Sequence, residues 1–283
     1  ETDSFGSGEK SRFITQLLQQ KTNALQQQIS PKVHTEKTAL RSVKKTETVL
    51  SRLKEFASEG ISPSSITSYL SNPFDFYMQK VLRIREVDEV EETIATNTMG
   101  TVIHKTLDTL YKPFEGCFIS EKNLSEIATK IDDLVLFYMK ECFHQQITLV
   151  GKNKLIFEVS KQFVKRFISQ EKRVLSEGNR LKIIATEQKL ATQITVPGID
   201  FPIKIHGEVD RIDELNGVTR VIDYKTGMVT KSNVKAGDFT TILEYKTHKA
   251  IQVLLYAFLH TKNNNFDFSK SLEGGIFSFK NLF

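Results

Sequence analysis

Gly207-Glu208-Val209-Asp210-Arg211-Ile212-Asp213 and Val221-Ile222-Asp223-Tyr224-Lys225-Thr226-Gly227 are the two stretches from which the fold of this chain is read. Between them stands Asn216-Gly217, the strongest short signal for a two-residue hairpin turn. Such a turn sets Leu215 opposite Val218, and counting outward brings Asp210 opposite Asp223. Alternate pairs are non-hydrogen-bonded, and 210/223 falls in that closer class, with Cα atoms ~4.5 Å apart. Side chains repeat every second residue, so Asp223 and Lys225 share a face and Glu208 stands opposite Lys225.

Directly opposed like charges destabilise a sheet. A divalent cation between the carboxylates would remove the repulsion, and hard ions such as Mg2+ or Mn2+ prefer oxygen ligands. A hairpin with a longer loop would instead slip the register and point the acids apart. Spacing alone leaves both readings open.

An Asp, a hairpin's length of chain and then Asp-X-Lys, present as Gly-Glu-Val-Asp210 and Ile-Asp223-Tyr-Lys225-Thr-Gly, resembles the PD-(D/E)XK nuclease motif in the form carried by RecB and AddB nuclease domains. Three further stretches are similar to that family and stand in its order. Ile61 to Tyr77 resembles the helical motif at its start, Gly100-Thr-Val-Ile-His104 its Gly-X-X-X-His, and Gln252-Val-Leu-Leu-Tyr256 its Gln-X-X-X-Tyr. The resemblance covers roughly residues 61 to 283.

It implies phosphodiester hydrolysis assisted by Mg2+ or Mn2+, since metal ions can activate water, stabilise a pentavalent phosphate and help the leaving oxygen. Asp210 and Asp223 would be carboxylate ligands, His104 the imidazole ligand and the Tyr224 carbonyl a further one. Lys225 would orient or deprotonate the water and offset charge on the phosphate. Glu187, in the strand-like Ile183-Ile-Ala-Thr-Glu-Gln-Lys-Leu-Ala, is a third carboxylate candidate ranked below the two aspartates. Glu208 would support Lys225. Gln252 and Tyr256 share a helical face, which fits either plain packing or a role near DNA or Lys225. A lone histidine such as His104 is more often satisfied locally than a ligand, and its motif is what raises it.

Some relatives hold an iron-sulfur cluster on four cysteines, one of them just before the Pro of the first helical motif. Here that position is Asn72 and the chain has only Cys117 and Cys142. No cluster is expected, and the two thiols are expected buried and reduced in a cytoplasmic protein. Neither Cys-X-X-Cys nor His-X-X-X-His spacing occurs, which argues against zinc. No Gly-X-X-X-X-Gly-Lys-Ser/Thr phosphate loop is present, so a helicase would be a partner rather than part of this chain.

The chain has 283 residues, 39% of them apolar, enough for one substantial core with a smaller appendage. A net charge of +5 suits a polyanion such as DNA. Lys225, Lys231, Lys235, Lys246 and Lys249 gather near the candidate site, where phosphate contacts would be useful; a solvated basic face is the plain alternative. No apolar run approaches the ~18 residues of a membrane span.

The expected class is α/β, or α+β by strict layering: a restriction-endonuclease-like core with a mixed sheet of four to five strands flanked by helices and a helical N-terminal region. Residues 1–55 are expected to form a helical segment, the tail of a larger upstream region or a cap on the core. Residues 56–283 are the expected nuclease domain, helical over 56–180 with the sheet core in 181–283. The polar start without Met reads as a fragment. Helices are expected over Leu124–Phe143, Phe157–Leu175 and Ala250–His260, the first motif helix being capped by Ser62 or Ser64. Strands are expected at Leu181–Ala185, Ala191–Val196, Ile203–Ile212, Val218–Tyr224 and Gly275–Phe279. Residues 228–249 read as a mobile loop.

The functional expectation is a metal-dependent exonuclease acting on DNA ends in repair or recombination, with DNA and a helicase as partners and no membrane. Two alternatives are a catalytically silent DNA-binding or assembly module and a structure-specific endonuclease.

Overall fold

Asn216 and Gly217 both take positive φ, 52° and 89°, so the two-residue turn forms with the twist its strands require. In the computed structural model the described residues are 11–20, 42–84, 94–143, 148–235, 247–263 and 266–282. Strand β2 (Ile203–Leu215) enters the turn and β3 (Val218–Lys225) leaves it. They pair antiparallel from Leu215/Val218 to Arg211/Ile222, in the register the turn dictates. The ladder ends one pair short of Asp210 and Asp223.

Strand β1 (Leu181–Ile194) pairs antiparallel with β2, and β4 (Leu272–Ser278) lies parallel to β3, giving the order β1-β2-β3-β4. The result is a mixed four-stranded sheet flanked by helices, the expected α/β architecture. One strand replaces the two expected at 181–196. The polar run Thr186-Glu-Gln-Lys189 hides the alternation in sequence, while pairing with β2 carries the strand through it.

Two compact units divide the chain, Glu1–Arg41 and Ser42–Phe283. In the first, the described residues form α1 (Arg12–Gln19); Leu25 and Ile29, expected to extend that helical pattern, lie outside the described residues. The second begins with α2 (Glu47–Glu59), α3 (Pro63–Ser71), the single turn α4 (Pro73–Phe76) and a π-helical turn over Tyr77–Val81. Ser62 caps α3 by accepting the Ser65 N–H at 3.2 Å, and Asn72 caps α4 by accepting from Phe74 and Asp75. Then follow α5 (Thr96–Tyr111), α6 (Glu121–Ala128), α7 (Ile131–Cys142) and α8 (Gly151–Ser176). The single helix expected over 124–143 is thus two, broken at Thr129-Lys130, where the Thr129 hydroxyl donates to the Glu126 carbonyl at 2.7 Å. Helix α9 (His248–Asn263) precedes β4. Cys117 is exposed in the turn before Phe118 and Cys142 half-buried, which corrects the expectation that both are buried.

The sheet is covered on both faces. On one, Leu107, Leu110, Val135 and Phe167 of the helices meet Leu181, Ile183 and Tyr224. On the other, Tyr256 and Leu259 of α9 meet Leu190, Ile205, Val209, Ile212 and Val221. Each such side chain, fully buried, contributes ~1.5–3 kcal/mol. Residues two apart on a strand should share a face, yet Val209 packs toward α9 while Arg211 points to Tyr111 and Phe167. Strand β2 therefore turns over at Asp210. Opposite it, β1 carries a register shift between Ile183 and Ala185 and a left-handed residue, Glu187, with φ 44°.

Gly207 fixes how closely α9 approaches β2. A Cβ there would stand 2.7 Å from the Tyr256 ring. Gly207→Ala is expected to destabilise the protein by about 1–3 kcal/mol through overpacking, read as a lowered denaturation midpoint with an unchanged m-value.

Candidate metal centre and active site

Helix α5 lies against the loop after β3: a Cβ on Gly100 would be 3.6 Å from Thr226 Oγ1. One turn later His104 reaches the point where β2 turns over. Its Nδ1 is 3.2 Å from Asp210 Oδ1 and 3.8 Å from Glu187 Oε1. Among the described residues these three form the one group able to offer three ligand atoms, all within 4.8 Å of one another. Tyr224 packs edge-on against the His104 ring, with centroids 5.8 Å apart, and donates its backbone N–H to Asp210 Oδ2. Asp210 is thus oriented from both sides.

Glu187 stands across from Asp210, between the pairs Thr186/Arg211 and Gln188/Val209. Its positive φ is uncommon for a residue with a long side chain and costs of the order of 1–3 kcal/mol unless the surroundings enforce it. The preceding residue supplies that enforcement. The Thr186 N–H donates to Glu115 at 2.7 Å and its hydroxyl to Asp108 of α5 at 2.6 Å.

Asp223 and Lys225 lie on the adjoining strand. Lys225 Nζ is 2.9 Å and 2.8 Å from the two carboxylate oxygens of Asp223, which is 2% exposed. Glu208 does not face Lys225. It pairs with Lys189 of β1, at 3.9 Å between charged atoms, because β2 and β3 have separated before reaching it.

The acids carry more negative charge than their surroundings offset. Burial, reinforced by the charge of Asp210 and opposed by His104, pushes Glu187 up to about 7. Burial also raises Asp223 to about 6, against the opposing pull of Lys225 and with help from Asp210. For His104 burial acts downward, but its hydrogen bond to Asp210 and the charges of Asp210, Glu187 and Asp223 leave its pKa raised. A donor set of one imidazole and carboxylates under such mutual repulsion fits a divalent cation, and with the nitrogen ligand Mn2+ is accommodated as readily as Mg2+.

Gln252 donates to the Tyr256 hydroxyl at 3.0 Å, one turn apart on α9. Burial holds the Tyr256 phenol up near about 12; Gln252 opposes this, and Asp223, Asp210 and Glu187 add to it. The hydroxyl therefore keeps its proton beside the acids. Lys249 is tied to the Met228 carbonyl at 3.3 Å, and Lys231 lies in a 3-10 turn after β3. Lys246, with 236–246 of the expected loop, lies outside the described residues.

A buried cluster behind the site escaped the sequence reading. Arg211, wholly buried, places its guanidinium 2.7 Å from Glu171 of α8 and 2.8 Å from Asp213, over the Tyr111 ring at 4.8 Å. Tyr111 donates its hydroxyl to Glu171. One cation thereby ties the strand of Asp210 to α8 and to the helix of His104. The signal was an arginine standing between Val209 and Ile212 in a strand that must be covered on both faces, and a glutamate on the inner face of α8.

A sheet with an acid at the turned-over strand, Asp-X-Lys on its hairpin partner and a histidine from a covering helix has the layout of a nuclease core. Residues 60–280 match the PD-(D/E)XK nuclease superfamily, and the chain belongs to it. It is 26% identical over 188 residues to an uncharacterized protein of Rickettsia conorii, covering 62% of this chain and 20% of that one. To an ATP-dependent helicase/deoxyribonuclease subunit of Streptococcus agalactiae it is 23% identical over 167 residues, covering 59% and 14%. The protein of the same name from Lactobacillus delbrueckii subsp. bulgaricus is 23% identical over 180 residues, covering 58% and 15%. The chain spans a fifth or less of the length of these curated relatives. Among the described residues no helix is long and apolar enough to cross a membrane.

Proposed function

We propose that this chain is a deoxyribonuclease that hydrolyses phosphodiester bonds with Mg2+ or Mn2+, most simply as an exonuclease on DNA ends in repair or recombination. The observation that carries the reading is the convergence of His104, Glu187 and Asp210 within 4.8 Å beside the Asp223–Lys225 pair. His104, Glu187 and Asp210 would hold the cation, with Asp223 and the Tyr224 carbonyl completing its surroundings. When bound, the cation would acidify a water and neutralise charge on the phosphate.

The protein's own groups do the rest. Lys225, fixed by Asp223, presents an ammonium that orients the water and offsets charge on the phosphate. Tyr224 holds Asp210 through its N–H. The Gln252–Tyr256 pair supplies a neutral phenol that can donate to a phosphate oxygen. Partnership with a helicase, and work in the cytoplasm, are part of the same proposal; the helicase partner is supported by the name of the Streptococcus and Lactobacillus relatives.

The test is digestion of linear and covalently closed circular DNA, single- and double-stranded, with Mg2+ or Mn2+. Degradation of linear DNA alone is expected, stopped by EDTA. Cutting of closed circles would replace the exonuclease by an endonuclease, and a protein inert on every substrate with both metals would remove the nuclease reading. Metal binding gives a second check: His104→Ala is expected to weaken Mn2+ affinity by about 10–100-fold, followed by the Mn2+ electron paramagnetic signal.

A further inference from the structure

Successive side chains on a strand point to opposite faces, yet Thr186 and Glu187 of β1 both reach the same face of α5. The Thr186 hydroxyl meets Asp108 at 2.6 Å, and the Glu187 carboxylate comes within 3.8 Å of His104, one helical turn earlier. The positive φ of Glu187, 44°, is what breaks the alternation. Thr186, itself buried, is held at every polar group it has. Besides the hydroxyl, its N–H donates to Glu115 at 2.7 Å and its carbonyl accepts from Lys112 at 3.5 Å, both directly after α5. Burial raises the Glu115 carboxyl, but its hydrogen bonds to Thr186 and Lys112 outweigh that and leave it below its usual range. Glu115 therefore stays ionised as the acceptor of the N–H, and the hydroxyl proton goes to the nearer Asp108, at 2.6 Å against 3.0 Å.

We propose that Asp108 and Thr186 are positioning residues: their hydrogen bond keeps Glu187 on the α5 face, sets its distance from His104, and so makes the centre select small divalent cations over Ca2+. The inference rests on the metal-centre reading above and adds to it what decides the ion. Helix α5 carries both reference points. His104 offers a ligand directly, and Asp108 fixes the strand that brings Glu187. Their spacing is the pitch of a helix buried along Val102, Ile103, Leu107 and Leu110, and close packing there leaves it little room to adjust. Selectivity between hard cations depends on cavity size and rigidity, Ca2+ taking oxygens at ~2.3–2.6 Å in flexible sites and Mg2+ at ~2.0–2.1 Å. Freed from the clamp, Glu187 would return to an extended backbone and its side chain would leave α5.

The experiment has one arm without metal and one with it. A metal-free crystal of Thr186→Val, which keeps the side-chain shape and loses the hydroxyl, is expected to show residue 187 at negative φ with its carboxylate withdrawn from His104. Asp108→Ala, crystallised alike, carries the same expectation where Thr186→Val does not fold. In solution, Mn2+ binding is followed by its electron paramagnetic signal with Ca2+ as competitor. Both variants are expected to weaken Mn2+ by about tenfold and Ca2+ by less than about threefold, narrowing the preference between them. Asp108→Asn, whose carbonyl still accepts the hydroxyl proton, is expected to keep the wild-type preference, which separates the bond from the charge. A variant crystal with Glu187 still left-handed beside His104, affinities for the two ions that fall in equal proportion, or an asparagine variant as impaired as the alanine would each overturn the positioning role. Failure of the metal-centre reading is seen separately, as wild-type protein that gives no signal of bound Mn2+.

Discussion

Asp210→Asn is expected to lower DNA cleavage by at least ~10²–10⁴-fold while leaving the melting temperature within a few degrees of wild type. The size follows from position. Asp210 touches His104 at 3.2 Å, stands across from Glu187 and accepts the Tyr224 N–H, so it joins the three strands and the helix that build the centre. The fold should survive because an asparagine carbonyl can still accept from Tyr224. The substitution also removes a negative charge that raises Glu187 and Asp223, so both acids should titrate lower than the values near 7 and 6 that they now hold. A variant that keeps wild-type cleavage rates would show that Asp210 does not touch the reaction. Lys225→Ala is expected to match it in cleavage for a different reason: the ammonium that orients the water is gone, and Asp223, buried and stripped of that partner, would be pushed further up.

Arg211→Ala is expected to cost about 3–5 kcal/mol of stability, the usual consequence of leaving one partner of a buried ion pair alone. In a unit of this size that is a fall of roughly 6–20 °C in melting temperature. Asp213 would keep Arg220, which contacts it at 2.7 Å and 2.9 Å, so the uncompensated charge falls mainly on Glu171. That assignment makes a second result follow. Arg211→Met with Glu171→Gln should recover a substantial part of what Arg211→Met alone loses, measured as a coupling energy in a double-mutant cycle. Independent, additive losses would mean that the guanidinium is held by packing on Tyr111 and Phe167 rather than by its acids.

The turn and its register were legible because Asn-Gly permits both positive φ angles, and pairing then has no freedom until the strands part. Mixed sheet, flanking helices and the capping of α3 by Ser62 were legible for the same local reasons. What sequence could not show was where the ladder would stop. Ending at Arg211/Ile222, it lets Asp210 turn toward His104, and this is why Glu208 meets Lys189 and not Lys225. Periodicity misled at β1, where the polar Thr186–Lys189 run interrupts the pattern, and at 124–143, where both helices keep the same apolar rhythm across the break. Glu187 shows a subtler limit. Its approach to Asp210 depends on a register shift and a positive φ, held by Thr186 contacts to Asp108 and Glu115 more than 70 residues upstream. No local pattern encodes such a contact. Arg211 escaped notice likewise, because a charge inside a strand reads as an exposed position until its partners on α5 and α8 are in place.

The claim on which the rest depends is that His104, Glu187 and Asp210 bind a divalent cation. It is tested most directly by soaking crystals of the protein in Mn2+ and measuring the anomalous difference map. A peak is predicted within ligand distance of His104 Nδ1 and of carboxylate oxygens of Glu187 and Asp210, absent from Asp210→Asn crystals soaked alike. A map without a peak at those atoms, or with Mn2+ only at other positions, would contradict it.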